Sequence, residues 1–246
     1  MHRSWWAATF VAVVGLAMLV SDAAVGASAL QITPLRLEFT KLQSMTTLTI
    51  KNRGTTATLV QMDVYKWTQQ NGEDVLEPSR DVLVSPPVFT VDPQGEQVIR
   101  AVVRRKPDEQ KEITYRLFLR EIADRATEES TNETVRVLLG FSLPIFVKPN
   151  IASEHDVVWT AKKLADHKVS IKLNNQGQQH LQVSSFQLEN EQGKIITGQS
   201  QMSYVLPDNH REWMLDIEDP DPGPTINLVA KTDSGELREK LVLERP

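Results

Sequence analysis

The sequence predicts an all-β protein made of two β-sandwich domains. Short segments in which apolar and polar residues alternate recur along most of the chain, and such alternation is typical of strands with one buried face. Clusters of Asn, Asp, Gly and Pro separate these segments at short intervals. Helical periodicity is nearly absent, so we expect antiparallel strands stacked in two layers.

Residues 1–29 are predicted to be a cleaved signal peptide. Arg3 precedes an apolar run from Trp5 to Val20, and small residues follow as Ala27-Ser28-Ala29. A small-x-small site of this kind is cut by signal peptidase, here after Ala29. An uncleaved membrane anchor is the alternative, but the apolar run is short for a membrane span and Asp22 follows it closely. We therefore expect an exported, soluble protein.

Composition excludes several classes of function. The net charge is −5, and no segment is basic enough to bind nucleic acid. The chain contains no cysteine, so thiol catalysis and disulfide bonds are excluded. Each domain must therefore be stabilised by its own hydrophobic core.

The first domain is predicted over residues 30–150. Alternation indicates strands at Met45–Ile50, Val60–Val64 and Val98–Val103. Turns are predicted at Asn52–Gly54, Asn71-Gly72 and Asp92–Gly95. Strand pairing is expected to end at Lys148-Pro149-Asn150, because proline lacks the N–H that a strand ladder needs.

The second domain is predicted over residues 151–246 by the same pattern. Its strands are predicted at Val169–Leu173, Leu181–Phe186, Ile226–Ala230 and Leu237–Leu243. Its turns are predicted at Asn174–Gly177, Glu191–Gly193 and Asp233–Gly235.

No catalytic or metal-binding motif is present. The histidines of the predicted mature chain lack metal-ligand spacing; they are His155, His167, His180 and His210. The acidic run Asp216–Asp221 lacks the ligand alternation of a calcium loop. Nucleophile elbows and phosphate-binding glycine loops are also absent. We expect no enzyme activity, no cofactor, no metal and no small-molecule substrate.

Three segments together resemble the periplasmic pilus chaperones of the chaperone–usher pathway. They are Ser85–Gly95 followed by Gln97–Arg100, Tyr115–Ile122 with its Leu-Arg-Glu-Ile ending, and a long strand Val135–Val147 that runs into Lys148-Pro149. A further match to the second domain of that family is the Thr232–Gly235 turn. The resemblance covers essentially the whole predicted mature chain.

The resemblance implies two immunoglobulin-like sandwiches in an L-shaped arrangement. It implies a periplasmic chaperone that binds pilus subunits and delivers them to the outer-membrane usher. A subunit of this pathway lacks its last strand, and the chaperone lends a strand edge that completes the fold.

The lending strand implied by the resemblance is Val135–Leu143. Every second residue of it is apolar, and this row is Val135, Val137, Leu139, Phe141 and Leu143. The resemblance implies that the row fills the subunit's groove. From the alternation alone, the other interpretation is that the row packs in the chain's own core, as most alternating strands do.

Two arginines are implied to bind the subunit's C-terminal carboxylate. The family uses an arginine of the first strand, which falls on Arg36, and a lysine that falls on Pro144. Because Pro144 carries no charge, the sequence is similar to the archaic and spore-coat-like branch, in which the arginine of the Tyr-Arg-Leu segment lies near the cleft. That residue is Arg116 here.

An interdomain ion network of Glu121, Lys148 and Asp233 is also implied by the resemblance. Lys148 replaces the family's usual arginine, which removes bidentate geometry. The alternative is three unrelated surface charges, each of which contributes little to stability.

Two other classes of function remain as alternatives. A structural pilus subunit or adhesin is usually one sandwich with an alternating N-terminal extension. A carbohydrate-binding or enzymatic sandwich needs exposed aromatic residues or a titratable cluster, whereas Trp67, Trp159 and Trp213 are dispersed.

Overall fold

A computed structural model describes residues 29–122, 138–151, 156–165, 167–218 and 222–244. The described residues form strands and contain no helix. They therefore contain no helix that is long and apolar enough to cross a membrane. The strands are β1 (Leu30–Thr33), β2 (Leu37–Phe39), β3 (Met45–Asn52), β4 (Thr58–Gln70), β5 (Glu73–Pro78), β6 (Val82–Ser85), β7 (Val88–Val91), β8 (Glu96–Val103), β9 (Ile113–Ile122), β10 (Gly140–Val147), β11 (Val157–Lys163), β12 (Lys168–Asn175), β13 (Leu181–Glu189), β14 (Ile195–Gln199), β15 (Ser203–Val205), β16 (Asn209–Asp216), β17 (Thr225–Thr232) and β18 (Gly235–Glu244).

The first sandwich consists of two sheets around one core. One sheet has the order β1-β3-β8-β6, and the other has the order β2-β10-β9-β4-β5 with β7 paired to β4. Side chains from both sheets meet in a buried cluster that includes Phe39, Ile50, Val60, Ile99 and Leu117. Burial of this apolar surface is the main force that holds the sheets together.

The polypeptide crosses from one sheet of the first sandwich to the other between β1 and β2. β1 pairs antiparallel with β3 in the first sheet, whereas β2 pairs parallel with β10 in the second. The short link Pro34–Arg36 makes the crossing, because proline cannot continue the ladder. Arg36 is thereby placed at the point where β2 joins β10, because the next residue, Leu37, is opposite Ile145.

The second sandwich is a single continuous sheet of 8 strands whose two halves enclose another core. The halves are joined where β11 runs parallel to β18, with Ala161 opposite Leu243. Trp159, Ile171, Phe186 and Leu228 from both halves are buried together. The all-β fold of two immunoglobulin-like sandwiches is therefore confirmed.

The strands predicted from alternation are present. Leu48 and Ile50 of β3 are buried, as are Val60 and Met62 of β4, on the faces that the period of two indicates. Of the predicted strand Val135–Val147, the structure shows Gly140–Val147 as β10. Residues 135–137 lie outside the described residues.

Candidate functional site between the two sandwiches

The two sandwiches meet through an aromatic cluster that is separate from both cores. Trp67 and Phe146 belong to the first sandwich, and Tyr204 and Leu206 belong to the second. The rings of Trp67 and Tyr204 meet edge to face with centroids 5.5 Å apart, a geometry that aromatic pairs favour. The contact is thus apolar at its centre.

β4 and β10 contribute to this contact because side chains on both faces of each strand are buried. Val60, Met62 and Val64 of β4 point to the core of the first sandwich, while the odd-numbered Trp67 and Gln69 are buried on the opposite face. Successive side chains of a strand alternate between faces. The second sandwich therefore covers the outer face of β4 at its C-terminal end.

Gln69 joins the sandwiches by hydrogen bonds. Its Nε2 donates to the carbonyl oxygen of Tyr204 at 3.0 Å, and its Oε1 accepts from the backbone N–H of Leu206 at 2.9 Å. One side-chain amide thereby satisfies two buried backbone groups of the other sandwich.

His180 makes a buried polar contact between the sandwiches. It precedes β13, and its ring stacks on Phe146 with centroids 3.6 Å apart and 7° between the planes. Nδ1 lies 2.7 Å from Oε1 of Glu112, which precedes β9, and Nε2 lies 3.4 Å from Oδ2 of Asp233. The ring is thus placed between carboxylates of both sandwiches.

These carboxylates stabilise the charged form of His180. Burial alone would lower the pKa of His180, but the contacts with Asp233 and Glu112 outweigh it and raise the pKa above 6.5. For Asp233, burial opposes ionisation, but His180 and the backbone N–H of Gln182 lower the pKa of its carboxyl below the ordinary value.

A more exposed ion network surrounds this contact. Nε of Arg36 lies 3.0 Å from Oε1 of Glu38, and Nζ of Lys148 lies 2.6 Å from Oε2 of the same carboxylate. Nη1 of Arg36 is also 3.9 Å from Oδ2 of Asp233. Burial works against ionisation of Glu38, but Lys148 and Arg36 lower the pKa of its carboxyl. Lys148 and Asp233 therefore belong to one network, which is connected through Glu38 and Arg36.

Glu121 does not lie in this network, which corrects the set implied by the resemblance. In the antiparallel pair of β9 and β10, Ile113 is opposite Val147, next to Lys148, whereas Glu121 lies eight residues further along β9. At the strand rise this is about 27 Å away. There Glu121 Oε2 accepts a hydrogen bond from the backbone N–H of Leu139 at 3.3 Å. Glu112, at the other end of β9, is the carboxylate that reaches the second sandwich.

Arg116 lies on the outer face of β9. Its cross-strand neighbours are Tyr65 of β4 on one side and Pro144 of β10 on the other. Its guanidinium carbon is 3.7 Å from the centroid of the Trp67 ring and 5.3 Å from that of Tyr204. Burial lowers the pKa of this guanidinium from its ordinary value, without discharging it. Among the described residues, no carboxylate lies within ion-pair distance of Arg116.

The two predicted anchor arginines both lie near Tyr204. Burial raises the pKa of the Tyr204 phenol, and the charges of Arg116 and Arg36 oppose this rise. A phenol hydroxyl and two guanidinium groups at the junction of the sandwiches form a donor set that suits a carboxylate.

β10 presents a partly unpaired edge next to this junction. All of Gly140–Val147 pairs with β9 on one side, but on the other side only Ile145–Val147 pairs with β2. Within the described residues, the outer edge of Gly140–Pro144 therefore has no strand partner. Such an edge is a template for an added strand.

Burial along the predicted lending row changes from one end to the other. Leu143 is 3 % exposed and lies in the core of the first sandwich, and Phe141 packs against that core. Leu139 is half-buried, and Val135 and Val137 lie outside the described residues. The expectation that Leu143 fills a partner's groove is thus corrected, because its side chain is already buried in its own core.

Several residues at the junction are missing from the sequence-based prediction. Trp67 appears in the sequence as an isolated tryptophan, and His180 as a histidine without a metal-ligand partner. Glu112 and Glu38 carry no motif at all. The one available signal is the period of two in β4. It places the apolar Trp67 on the face of the strand opposite to that of Val64, which indicates that this outer face is covered as well.

In the part of the chain that the structure describes, the junction offers no arrangement for metal chemistry. The described residues contain no group of three or more His, Asp or Glu side chains that could bind a metal ion. Among the described residues, the contacts of His180 are with carboxylates and an aromatic ring, which orient it.

Comparison with known proteins identifies the family. Residues 29–152, half of the chain, match the family described as "Pili and flagellar-assembly chaperone, PapD N-terminal domain". The chain belongs to this family. A comparison with curated proteins found no match.

Solved structures share the fold of this pilus-chaperone family member. A chain of the CsuC–CsuE chaperone–tip adhesion subunit pre-assembly complex, from archaic chaperone–usher Csu pili of Acinetobacter baumannii, matches with a TM-score of 0.65 at 19 % identity, over 89 % of this chain and 99 % of that one. The E. coli chaperone DraB matches with a TM-score of 0.59 at 19 % identity, over 89 % and 98 %. A chain of the Salmonella enterica SafA pilin–SafB chaperone complex matches with a TM-score of 0.59 at 19 % identity, over 87 % and 96 %.

Proposed function

We propose that this chain is a periplasmic chaperone that captures pilus subunits by lending them a strand. The observation that carries the proposal is the outer edge of β10 over Gly140–Pro144, for which the structure describes no strand partner among the residues that it covers. This edge ends at the arginine-lined junction, since Pro144 lies directly opposite Arg116. One partner strand along β10 could therefore have its end held at the junction.

The edge supplies backbone hydrogen bonds, and the lending row supplies apolar side chains. A subunit that lacks a strand exposes unpaired backbone groups and an open core, both of which are costly in water. Leu143 is buried in the chain's own core and Phe141 packs against that core, which leaves Leu139, Val137 and Val135 for the partner's groove. The row would thus continue from the core of the chaperone into that of the subunit.

Arg116 and Arg36 are proposed to bind the subunit's terminal carboxylate. Charge-assisted hydrogen bonds from a guanidinium are shorter and stronger than neutral ones, and the planar fork matches the two oxygens. Arg116 has no carboxylate partner among the described residues, whereas Arg36 is already paired with Glu38. We therefore assign the larger share of carboxylate binding to Arg116.

The remaining assignments follow from the same proposal. Residues 1–29 are a signal peptide that directs the chain to the periplasm, residues 30–150 carry the lending strand, and residues 151–246 form the second domain. The outer-membrane usher is a further partner, and no catalytic step is involved. The interdomain network of Arg36, Glu38, Lys148 and Asp233, with His180 and Glu112, keeps the two sandwiches in one orientation.

Purification of the chain from its host tests the proposal. A tagged chain is expected to co-purify from the periplasm with a smaller sandwich protein in a one-to-one complex. Mass spectrometry identifies that protein, whose sequence should lack the last strand of an immunoglobulin-like fold. Recovery of the chain alone, while pili are being assembled, contradicts the proposal.

A further inference from the structure

We propose that Trp67 and Tyr204 are positioning residues for the carboxylate site, because they hold the guanidinium of Arg116 in a fixed plane at the junction of the sandwiches. This inference rests on the proposed function and adds to it the means by which an arginine on a strand face acts as a carboxylate anchor. It also makes the anchor depend on both sandwiches, since Trp67 belongs to the first and Tyr204 to the second.

The stacking distance supports a specific contact. The guanidinium carbon of Arg116 lies 3.7 Å from the centre of the Trp67 ring, well within the range of about 6 Å in which cation–π attraction acts. Trp67 is 1 % exposed, so its ring cannot turn away from the arginine. A long side chain that would otherwise sample many rotamers is thereby confined on one side by a rigid surface.

The indole itself indicates a role beyond filling space. Nε1 of Trp67 is buried and has no hydrogen-bond partner among the described residues, an arrangement that destabilises the fold. Phenylalanine would fill much of the same space without the unpaired N–H. Tryptophan, however, provides the aromatic face that attracts a cation most strongly.

Arg116 differs from the other cations near the junction. Arg36 and Lys148 are both paired with Glu38, and Lys111 contacts Asp208. The guanidinium carbon lies over the Trp67 ring, and among the described residues no carboxylate is within ion-pair distance of its N–H groups, so these groups can donate to a ligand. A guanidinium held in this way presents a fork of donors to the two oxygens of a carboxylate.

Tyr204 extends the surface from the second sandwich. Its ring is 5.3 Å from the guanidinium carbon and meets the Trp67 ring edge to face. Gln69 holds the backbone of Tyr204 and of Leu206 by hydrogen bonds, so the position of Tyr204 follows from the interdomain contact. The proposal therefore predicts that recognition of the carboxylate weakens when either ring is removed.

Two peptides test the proposal. They have the sequence of the C-terminal segment of a pilus subunit and differ in the C-terminal group, which is a free carboxylate in one and an amide in the other. The wild-type chain is expected to bind the free acid about tenfold or more tightly than the amide. Trp67→Met, which fills space without an aromatic face, should lower this acid-to-amide affinity ratio to near one, whereas Trp67→Phe should retain most of it.

Trp159 provides the matched control. It is also buried and also has an Nε1 without a partner among the described residues, but it lies in the core of the second sandwich. Trp159→Met should lower the melting temperature and leave the affinity ratio unchanged. If Trp67→Met weakens both peptides equally and keeps the wild-type ratio, Trp67 is merely structural and the proposal is overturned.

Two further outcomes are also decisive. If the wild-type chain binds the free acid and the amide with nearly equal affinity, both this proposal and carboxylate anchoring itself are overturned. If the wild-type chain prefers the free acid and Trp67→Met keeps that preference, this proposal alone is overturned. Should Trp67→Met fail to fold, Tyr204→Leu decides the question. A reduced ratio in Tyr204→Leu supports the proposal, and a wild-type ratio overturns it.

Discussion

The ring of His180 lies parallel to the ring of Phe146 at 3.6 Å, while Nδ1 of His180 is 2.7 Å from Oε1 of Glu112. His180 belongs to the second sandwich, and both of its partners belong to the first. A single side chain thus combines an aromatic contact with an ion pair across the junction. The relative position of the sandwiches is therefore tied to the charge of one titratable ring.

We predict that the stability of the two-sandwich unit falls as the pH rises from about 6 to about 9. Because the pKa of His180 is raised in the folded state, its contribution is fully present below the unfolded pKa of about 6.5 and is lost as the pH rises through the folded pKa. When His180 is neutral, the carboxylates of the buried Glu112 and the nearby Asp233 lose the positive charge that stabilises them. Thermal unfolding at several pH values measures the effect.

His180→Gln and His167→Asn separate this effect from general pH sensitivity. His180→Gln should lower the melting temperature at pH 6 and abolish most of the fall between pH 6 and 9. His167 is exposed and has a positive φ, which Asn tolerates, so His167→Asn should behave like the wild type. An unchanged pH dependence in His180→Gln means that another group is responsible.

We predict that Arg116→Ala weakens subunit capture more than Arg36→Ala. Loss of Arg116 removes a guanidinium that has no carboxylate partner within the described part of the chain, and we expect a drop in affinity of about tenfold or more. Loss of Arg36 leaves Glu38 paired with Lys148, so the junction keeps most of its geometry. Affinities for a refolding subunit measure both effects. Wild-type binding by both variants places the anchor elsewhere.

We predict that Val137→Asp abolishes complex formation while the free chain melts almost normally. The substitution would place an unpaired charge in the apolar groove of the subunit, which is strongly unfavourable. Arg136→Asp is the matched control, because adjacent strand positions face opposite sides. It should reduce binding much less. Unfolding of the free Val137→Asp variant, or equal binding by both variants, contradicts strand lending by this segment.

We predict that the mature chain begins at Leu30. The Ala27-Ser28-Ala29 site predicts cleavage at that point, and β1 begins at Leu30 and pairs with β3 from its first residue. N-terminal sequencing of periplasmic protein checks this. Material that still begins with Met1 contradicts it.

The strands were predictable because each of them carries its signal locally. In β3, alternation marks Leu48 and Ile50 as the buried face, and burial in the structure follows it. The same is true of β13, in which Leu181, Val183 and Phe186 are buried. A bulge near Ser185 shifts the period, however. A shift of this kind depends on the neighbouring strand, β17.

The contacts at the junction depend on pairs that are remote in sequence. Glu112 and His180 are 68 residues apart, and no local pattern connects them. The register of β9 against β10 decides which end of β9 reaches the second sandwich. The resemblance implied Glu121 as the interdomain carboxylate of this segment, whereas the structure places Glu112 at the junction. Arg116 was predicted near the junction from resemblance, but its stack on Trp67 depends on the outer face of β4.

Suppression of subunit aggregation tests the central claim most directly. A pilus subunit from the same host, unfolded in urea, is diluted into buffer with or without an equimolar amount of the purified chain. Light scattering follows aggregation, and native mass spectrometry determines stoichiometry. The account predicts that the wild-type chain prevents aggregation and forms a one-to-one complex, which Val137→Asp does not. Aggregation that is equally fast with the wild-type chain and with an unrelated β-sandwich protein would contradict the account.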